Sequence, residues 1–455
     1  MPMDVKLLIP ILLFTFVSCQ TIIVPDREVR ERLKSNLSVK VKQNSITLPK
    51  KLILRDARKI ALKGNPSLQA AGQRILRAQA VIDQARSLYF PTVRATSGAR
   101  HQHNVAEGQF GFPTASYESY STALSSQWLI FDGFAREYKV LAARYGETAA
   151  KESYKDSQRL LSDAVSQAFY RTILSKKEME INLELKIINE KFLRDEKIKL
   201  DAGTSTRSQV NNFAVNVNNA EIAHLESKNS HETAKLILVE LLGAPDAELT
   251  NFSAEYKNSE VKVPDYETAL KKALNSRPDL KALQADILAT EAQIKEAEGS
   301  YYPKFFLEGS YGYSSFDRAR FGDNNRDSYI GASMSWDLFT GNSTAALIAQ
   351  RIAEKEEKLK SLKASWFEII SQIRQQRKSL INVLARSKIQ KKTADLNKSI
   401  YEDTKVLYEN GTTSITRVNE VLTNYSISNL NHILFEVETL RRKEILDSLM
   451  GLNTK

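Results

Sequence analysis

Hydrophobic residues along this chain change period twice, and the changes outline its elements. Ala71, Ile75, Ala78 and Ile82 fall at steps of four, three and four, which is one face of a helix. That helix is expected to stop before Phe90-Pro91, because the residue preceding a proline avoids the helical region. Period two follows. Val93, Ala95, Ser97 and Ala99 alternate with Thr92, Arg94, Thr96 and Arg100, and farther on Ile330, Ala332, Met334, Trp336 and Leu338 alternate with Gly331, Ser333, Ser335 and Asp337. Phe305, Leu307, Tyr311 and Tyr313 likewise oppose Glu308, Ser310 and Ser314. Apolar on one face and polar on the other is the pattern of a transmembrane β-barrel strand. A half-buried soluble hairpin alternates in the same way, so the strands alone leave both readings open. Helical spacing then returns in narrow stripes, Ile181, Leu185, Ile188 and Phe192 in one stretch and Leu359, Leu362, Trp366, Ile369 and Ile373 in another. Steps of three and four in so thin a stripe are the seam of coiled-coil packing.

This succession occurs twice. Asn65-Pro66-Ser67-Leu68 returns as Arg277-Pro278-Asp279-Leu280, and Tyr89-Phe90-Pro91 as Tyr301-Tyr302-Pro303, each 212 residues later. Trp128 to Gly133 returns as Trp336 to Gly341, Ala202-Gly203-Thr204 as Asn410-Gly411-Thr412, and Leu241-Leu242-Gly243 as Leu449-Met450-Gly451, each 208 residues later. Ordered matches at near-constant spacing mark a duplicated unit. Each unit reads as a helix, a strand pair bounded by Pro91 or Pro303 and by Gly133 or Gly341, a very long helix, a turn at Gly203 or Gly411, and a returning helix. The first long helix, from 134 to about 199, contains no proline and only Gly146 as an interruption, so it is on the order of 100 Å long.

Composition narrows the class. With 17 Gly and 11 Pro in 455 residues and 26% charged residues, the chain has the make-up of a protein dominated by long helices. A formal charge of +11 raises nucleic acid or an anionic membrane as a partner, but the signs are interleaved, as in Arg351, Glu354, Lys355, Glu356, Glu357 and Lys358. That is a solvated helix face, and it argues against a nucleic-acid site. The apolar run Leu7 to Val17 after Lys6 is too short to span a bilayer and has the length of a signal-peptide core. Phe16-Val17-Ser18-Cys19 looks like a loose bacterial lipobox, which makes Cys19 the expected lipidated first residue of the mature chain; an ordinary secretory signal is the alternative. Cys19 is the only cysteine, so no intrachain disulfide forms. The expected organisation is a signal peptide at 1–18, a first repeat at 19–243, a linking segment at 244–265 and a second repeat at 266–455.

Order, duplication and motif together resemble the TolC family of outer-membrane efflux and secretion channels over nearly the whole mature chain. The residues that carry the resemblance are Arg277-Pro278-Asp279-Leu280, Tyr302-Pro303, Trp336 to Gly341 and Tyr408-Glu409-Asn410-Gly411-Thr412. The resemblance implies a mainly α fold with a transmembrane β part, four strands per chain in a trimeric twelve-stranded barrel above a long helical tunnel. It also implies a homotrimer embedded in outer-membrane lipid, a periplasmic adaptor, an inner-membrane pump, and no cofactor or enzymatic activity. The loops at 103–116 and 316–328 are then expected outside the cell, and 20–50 and 244–265 in a belt around the tunnel's middle. Met334 is expected to face lipid near the bilayer midplane, and Ser335 the lumen.

At the tunnel tip the sequence departs from the family pattern. Tyr408, Gly411 and Thr412 are kept, but Thr413 stands where relatives carry an Arg, and the two acidic positions that narrow the pore are Arg417 and Glu420 here. The matching acid of the first unit is Gln209. Gln209, Tyr408, Arg417 and Glu420 are therefore the expected periplasmic gate, either with Arg417 ringing the axis or with Arg417 simply paired to Glu420 one turn on. No phosphate loop, CxxC or metal-ligand cluster occurs; His101 and His103 with Glu107 form the nearest approach to one. No residue pattern singles out a general acid or base. Within the family, an efflux duct and the exit duct of a type I protein-secretion system fit equally well, and a pore-less periplasmic coiled-coil lipoprotein is the reading from another class.

Overall fold

A computed structural model describes residues 48–103, 116–245, 253–255, 261–316 and 318–452. Cys19, the loop at 104–115 and Glu107 lie outside the described residues. The elements run β1 (Lys51–Leu52), α1 (Leu54–Gly64), α2 (Pro66–Ser87), β2 (Thr92–His103), β3 (Ser116–Phe131), α3 (Ala135–Asp201) and α4 (Arg207–Leu241), then β4 (Ser253–Ala254), α5 (Tyr266–Ser276), α6 (Pro278–Glu298), β5 (Lys304–Phe316), β6 (Arg326–Ser335), α7 (Ser343–Glu409) and α8 (Ile415–Leu449). None of the described helices is long and apolar enough to cross a membrane.

Local chemistry sets the boundaries. Asn65 caps α2, its Oδ1 accepting from the N–H groups of Ser67 and Leu68 at 3.0 and 3.2 Å, and Pro66 occupies the first turn, where its missing N–H costs nothing. In the second repeat Arg277 holds the same place, pairing with Asp279 at 2.6 Å. Pro91 and Pro303 sit immediately before β2 and β5. Gly133 follows β3 with φ of 69°, and a Cβ there would lie 2.6 Å from the Gly299 carbonyl oxygen and 2.7 Å from Tyr302 Cβ. Only glycine fits so close a crossing of the two repeats. Each long helix has 67 residues and begins on a non-glycine residue at positive φ, Phe134 and Asn342.

Helices α2, α3, α6 and α7 pack in that order, and so do α4, α3, α8 and α7, so that α3 and α7 belong to both sets. Helix α3 packs on α1, α2, α4, α6 and α8, whereas α7 packs on α5, α6 and α8. Among the described residues three apolar clusters hold the bundle. Around the middle, Leu52, Val165, Phe169, Leu238 and Leu242 join β1, α3 and α4. Leu280, Ile369, Ile373, Leu380 and Leu446 join α6, α7 and α8. Near the helix turns, Phe192, Phe213, Ile415, Val418 and Leu422 join the two hairpins. The parallel pair β1–β4 ties the chain before α1 to the segment between α4 and α5.

Strands β2, β3, β5 and β6 make one antiparallel sheet in that order, with β2 and β6 as open edges. Two expectations need correction. Strand β6 ends at Ser335, opposite Lys304, so Trp336 and Leu338 are not strand residues and Gly341 opens α7 instead of closing a strand. The reason is pairing: among the described residues β5 is the only neighbour of β6 and begins at Lys304, whereas β3 has partners on both sides and continues to Phe131. Strand β6 also begins at Arg326, so the loop of the second strand pair is shorter than the expected 316–328.

Candidate functional site

The sheet has two chemically different faces, fixed by its register. One face stacks the rungs Phe131–Phe305–Met334, Trp128–Leu307–Ala332, Val93–Ser126–Gly309–Ile330, Ala95–Leu124–Tyr311–Ser328 and Ser97–Thr122–Tyr313–Arg326. Its apolar side chains stand bare, Ile330 at 82% and Val93 at 65% exposure. The opposite face stacks Thr92–Gln127–Glu308–Gly331 and Arg94–Ser125–Ser310–Tyr329. There Glu308 accepts from Gln127 Nε2 at 2.9 Å and from Ser333 Oγ at 3.2 Å. Met334 and Ser335 fall on the apolar and polar faces respectively. Met334 is one residue from the end of β6 nearest the helices, however, and the middle of the apolar face is at Ile330 and Leu124. Alternation gives the face of a residue but not its depth, which depends on where pairing begins.

The end of the sheet nearest the helices is tied to them by repeated hydrogen bonds. Trp128 Nε1 donates to the Tyr89 carbonyl at 2.9 Å, and Trp336 Nε1 to the Tyr301 carbonyl at 3.1 Å. In the first repeat Arg136 adds a buried clamp. Its guanidinium reaches the carbonyls of Leu129 and Ile130 at 2.7 and 2.8 Å, pairs with Asp132 at 3.2 Å and lies over the Tyr89 ring. Nothing in the sequence marks this pair, because Asp132 and Arg136 look like any other charges at i and i+4.

At the far end of the helices, each turn closes in the same way. Gly203 and Gly411 take φ of 79° and 75°, and their N–H groups donate to the carbonyls of Leu200 and Tyr408. Those left-handed positions are where glycine ends a helix without strain. Thr206 and Ser414 cap the returning helices. Gln209 is spent on its own turn, its side-chain oxygen accepting from the Thr206 N–H at 3.2 Å. Arg417 pairs with Glu420 at 2.7 Å, both side chains exposed. Tyr408 is held from the other hairpin: Lys199 donates to its hydroxyl and lies 4.5 Å from its ring centroid. Lys199 also faces the buried carboxylate of Glu196 at 3.7 Å, which accepts from Ser205 Oγ. Burial pulls the Lys199 ammonium down, but the bond to Tyr408 and the charge of Glu196 outweigh it and its pKa is raised. No sequence pattern singles out Lys199. A lysine in the last turn of a helix is common, and its partner lies 209 residues away.

Among the described residues no three His, Cys, Asp or Glu side chains converge as metal ligands, and His101 faces Glu118 at 3.8 Å.

Comparison with known proteins agrees with this geometry. The chain aligns with Protein CyaE of Bordetella pertussis at 24% identity over 296 residues, 64% of this chain and 61% of CyaE. It aligns with the pyoverdine export outer membrane protein OpmQ of Pseudomonas aeruginosa at 25% identity, over 66% of this chain and 64% of OpmQ. The chain thus spans less than two thirds of the length of either relative. The fold is that of TolC-like channels: 88% of the chain superposes on the outer-membrane channel CmeC of Campylobacter jejuni, covering 86% of it, with a TM-score of 0.77 at 15% identity. The same share superposes on 89% of the outer-membrane channel OprN with a TM-score of 0.74 at 18% identity. The pattern of the outer membrane efflux protein family matches residues 57–244 and 269–452, and the chain belongs to that family.

Proposed function

We propose that this chain is one subunit of a homotrimeric outer-membrane channel that exports small molecules delivered by an inner-membrane pump through a periplasmic adaptor. The observation that carries the reading is the open four-stranded sheet with one bare apolar face and two unpaired edges. Lipid supplies no hydrogen bonds to strand edges, so such a sheet can lie in a bilayer only when closed by other copies. Three copies of four strands close as twelve. Small-molecule cargo is supported by OpmQ, whose name states pyoverdine export. The reading assigns no chemical step to the chain, and Cys19 serves in it as a lipid anchor.

The helix turns form the closable end in this reading. Arg417 carries a positive charge where the family has an acid, and Glu420 compensates it within each copy. Reversal potentials in planar bilayers are expected to show weak cation preference, and Arg417→Asp to shift the channel clearly toward cations. A wild type already strongly cation-selective, and unmoved by that substitution, contradicts a constriction at Arg417.

The membrane placement has its own test. Ile330→Arg, at the middle of the apolar face, is expected to cost roughly 2–4 kcal/mol, and Met334→Arg near the inner interface about 0–1 kcal/mol. Gly331→Arg on the polar face is expected to assemble normally. Equal, undisturbed yields of heat-modifiable trimers from all three variants would rule out a bilayer around β6.

A further inference from the structure

Residues 318–321, after β5, turn back over the sheet, and the face they cover is the apolar one. The Arg320 N–H donates to Ser315 Oγ at 3.2 Å, and the Arg318 N–H donates to the Phe316 carbonyl at 2.8 Å. The Phe321 ring meets Tyr313 edge-on at 6.0 Å between centroids. Tyr313 and Ser315 both belong to the apolar face, on the rungs of Thr122 and Tyr120, and Ser315 is buried. The loop leaves Phe321 61% exposed, with Arg318, Arg320 and Arg326 exposed around it.

Height along the strand gives this cluster a meaning. Phe305 and Tyr313 are eight residues apart on β5. That is about 27 Å along the strand and roughly 20 Å of depth at a tilt near 40°. A barrel's apolar band is about 25 Å tall and edged by aromatic girdles. Tyr311, Tyr313 and Phe321 therefore mark its outer edge, and the guanidinium groups stand at headgroup level. The charges there are weakly committed. Arg326 reaches Asp323 only at 3.5 Å, with both side chains largely exposed. Among the described residues, neither the Arg318 nor the Arg320 side chain takes part in an ion pair or hydrogen bond. Asp327 lies on the opposite, polar face, on the rung of Gly312. Planar guanidinium groups bind phosphate oxygens two at a time.

We propose that this outer rim binds the phosphate groups of outer-leaflet lipids, with Arg318 and Arg320 as the phosphate ligands and Phe321 as the apolar anchor. The proposal rests on the reading that the apolar face of the sheet lies in the bilayer. The full-length protein, purified in a mild detergent, is incubated with lipid A carrying two phosphates or with the same lipid stripped of them, and bound lipid is counted by native mass spectrometry. The phosphorylated form is expected to be retained about tenfold better. Arg318→Gln with Arg320→Gln is expected to abolish that preference, and Phe321→Ala to lower retention of both lipids alike. The proposal is overturned if the wild type shows no preference or if the double variant keeps it. Displacement of the lipid by equimolar inorganic phosphate would make the site one for free anions and overturn it too. Failure of the membrane reading itself looks different: neither lipid is retained and Ile330→Arg assembles normally.

Discussion

Helices α3 and α7 are equal in length and occupy corresponding places in the two repeats, yet their surroundings are opposite. Helix α3 buries sixteen residues and α7 seven, because α3 lies between neighbours on both sides and α7 forms an edge. Side-chain chemistry follows the position, with a twist. Buried Arg159 on α3 corresponds to Phe367 on α7, 208 residues on, which is 61% exposed; half-buried Asp163 corresponds to Ser371. At the first of these positions a charge is buried in the interior helix and an aromatic exposed on the edge helix, the reverse of the usual distribution. Arg159 is tolerated there because it pairs with Asp156 at 2.7 Å, and Arg58 of α1 likewise pairs with Glu444 of α8 at 2.5 Å. The exposed Phe367, Ile389 and Leu396 of α7, at 61%, 66% and 67%, mark a face that the single chain leaves uncovered. In the trimer reading a second copy covers it.

Substitutions of one kind on both helices give the largest expected contrast. Phe169, fully buried on α3, contacts Tyr170 edge-on within the central cluster. Phe169→Ala is expected to destabilise the fold by about 3–5 kcal/mol in denaturant melts. Phe367→Ala is expected to leave the fold intact and instead to lower trimer recovery after cross-linking. Loss of fold in both variants, or in neither, would erase the distinction between interior and edge.

The sheet-to-helix junctions give a second contrast of nearly the same size. Asp132 and Arg136 correspond to Thr340 and Thr344, whose hydroxyls lie 3.2 Å apart. Arg136→Met strands the buried Asp132 carboxylate and the carbonyls of Leu88, Leu129 and Ile130, and is expected to cost about 3–5 kcal/mol. Thr344→Val is expected to cost less than about 1 kcal/mol. Copying the second junction into the first, with Asp132→Thr and Arg136→Thr together, should recover much of the loss. Thermal unfolding in detergent ranks the three variants.

A smaller effect comes from Asp163, whose pKa burial raises despite a bond from Gln167 at 2.8 Å and the nearby charges of Arg159 and Arg58. A carboxyl whose folded pKa is raised holds its proton more tightly when folded. It therefore adds stability below the usual aspartate range and loses that contribution as pH rises through the folded value. Asp163→Asn is expected to be more stable than wild type at neutral pH, with the gap closing as pH falls toward the usual aspartate range. Urea melts at several pH values measure this; a gap that widens on acidification contradicts it.

Legibility followed the range of the interactions. The duplication, the strand starts after Pro91 and Pro303, the glycine turns at Gly203 and Gly411 and the two faces of the sheet are all written in runs of a few residues. Backbone sterics and side-chain alternation act over that distance, and the tip turn of each repeat was visible for the same reason. The candidate gate was readable only as positions. Gln209 folds onto Thr206, Arg417 onto Glu420, and Tyr408 onto Lys199, a partner no spacing rule connects to it.

The sequence by itself determined the period of α2, β2, β5, β6 and the two long helices, the order in which those elements follow one another and which of their side chains share a face, because those depend on the 3.6- and 2-residue geometry of the chain. Tertiary structure alone decided that β6 stops at Ser335, that the middle of the apolar face lies at Ile330, and that α3 is interior while α7 is an edge. Each of these depends on what stands beside the element, and the two repeats, alike in pattern, have different neighbours.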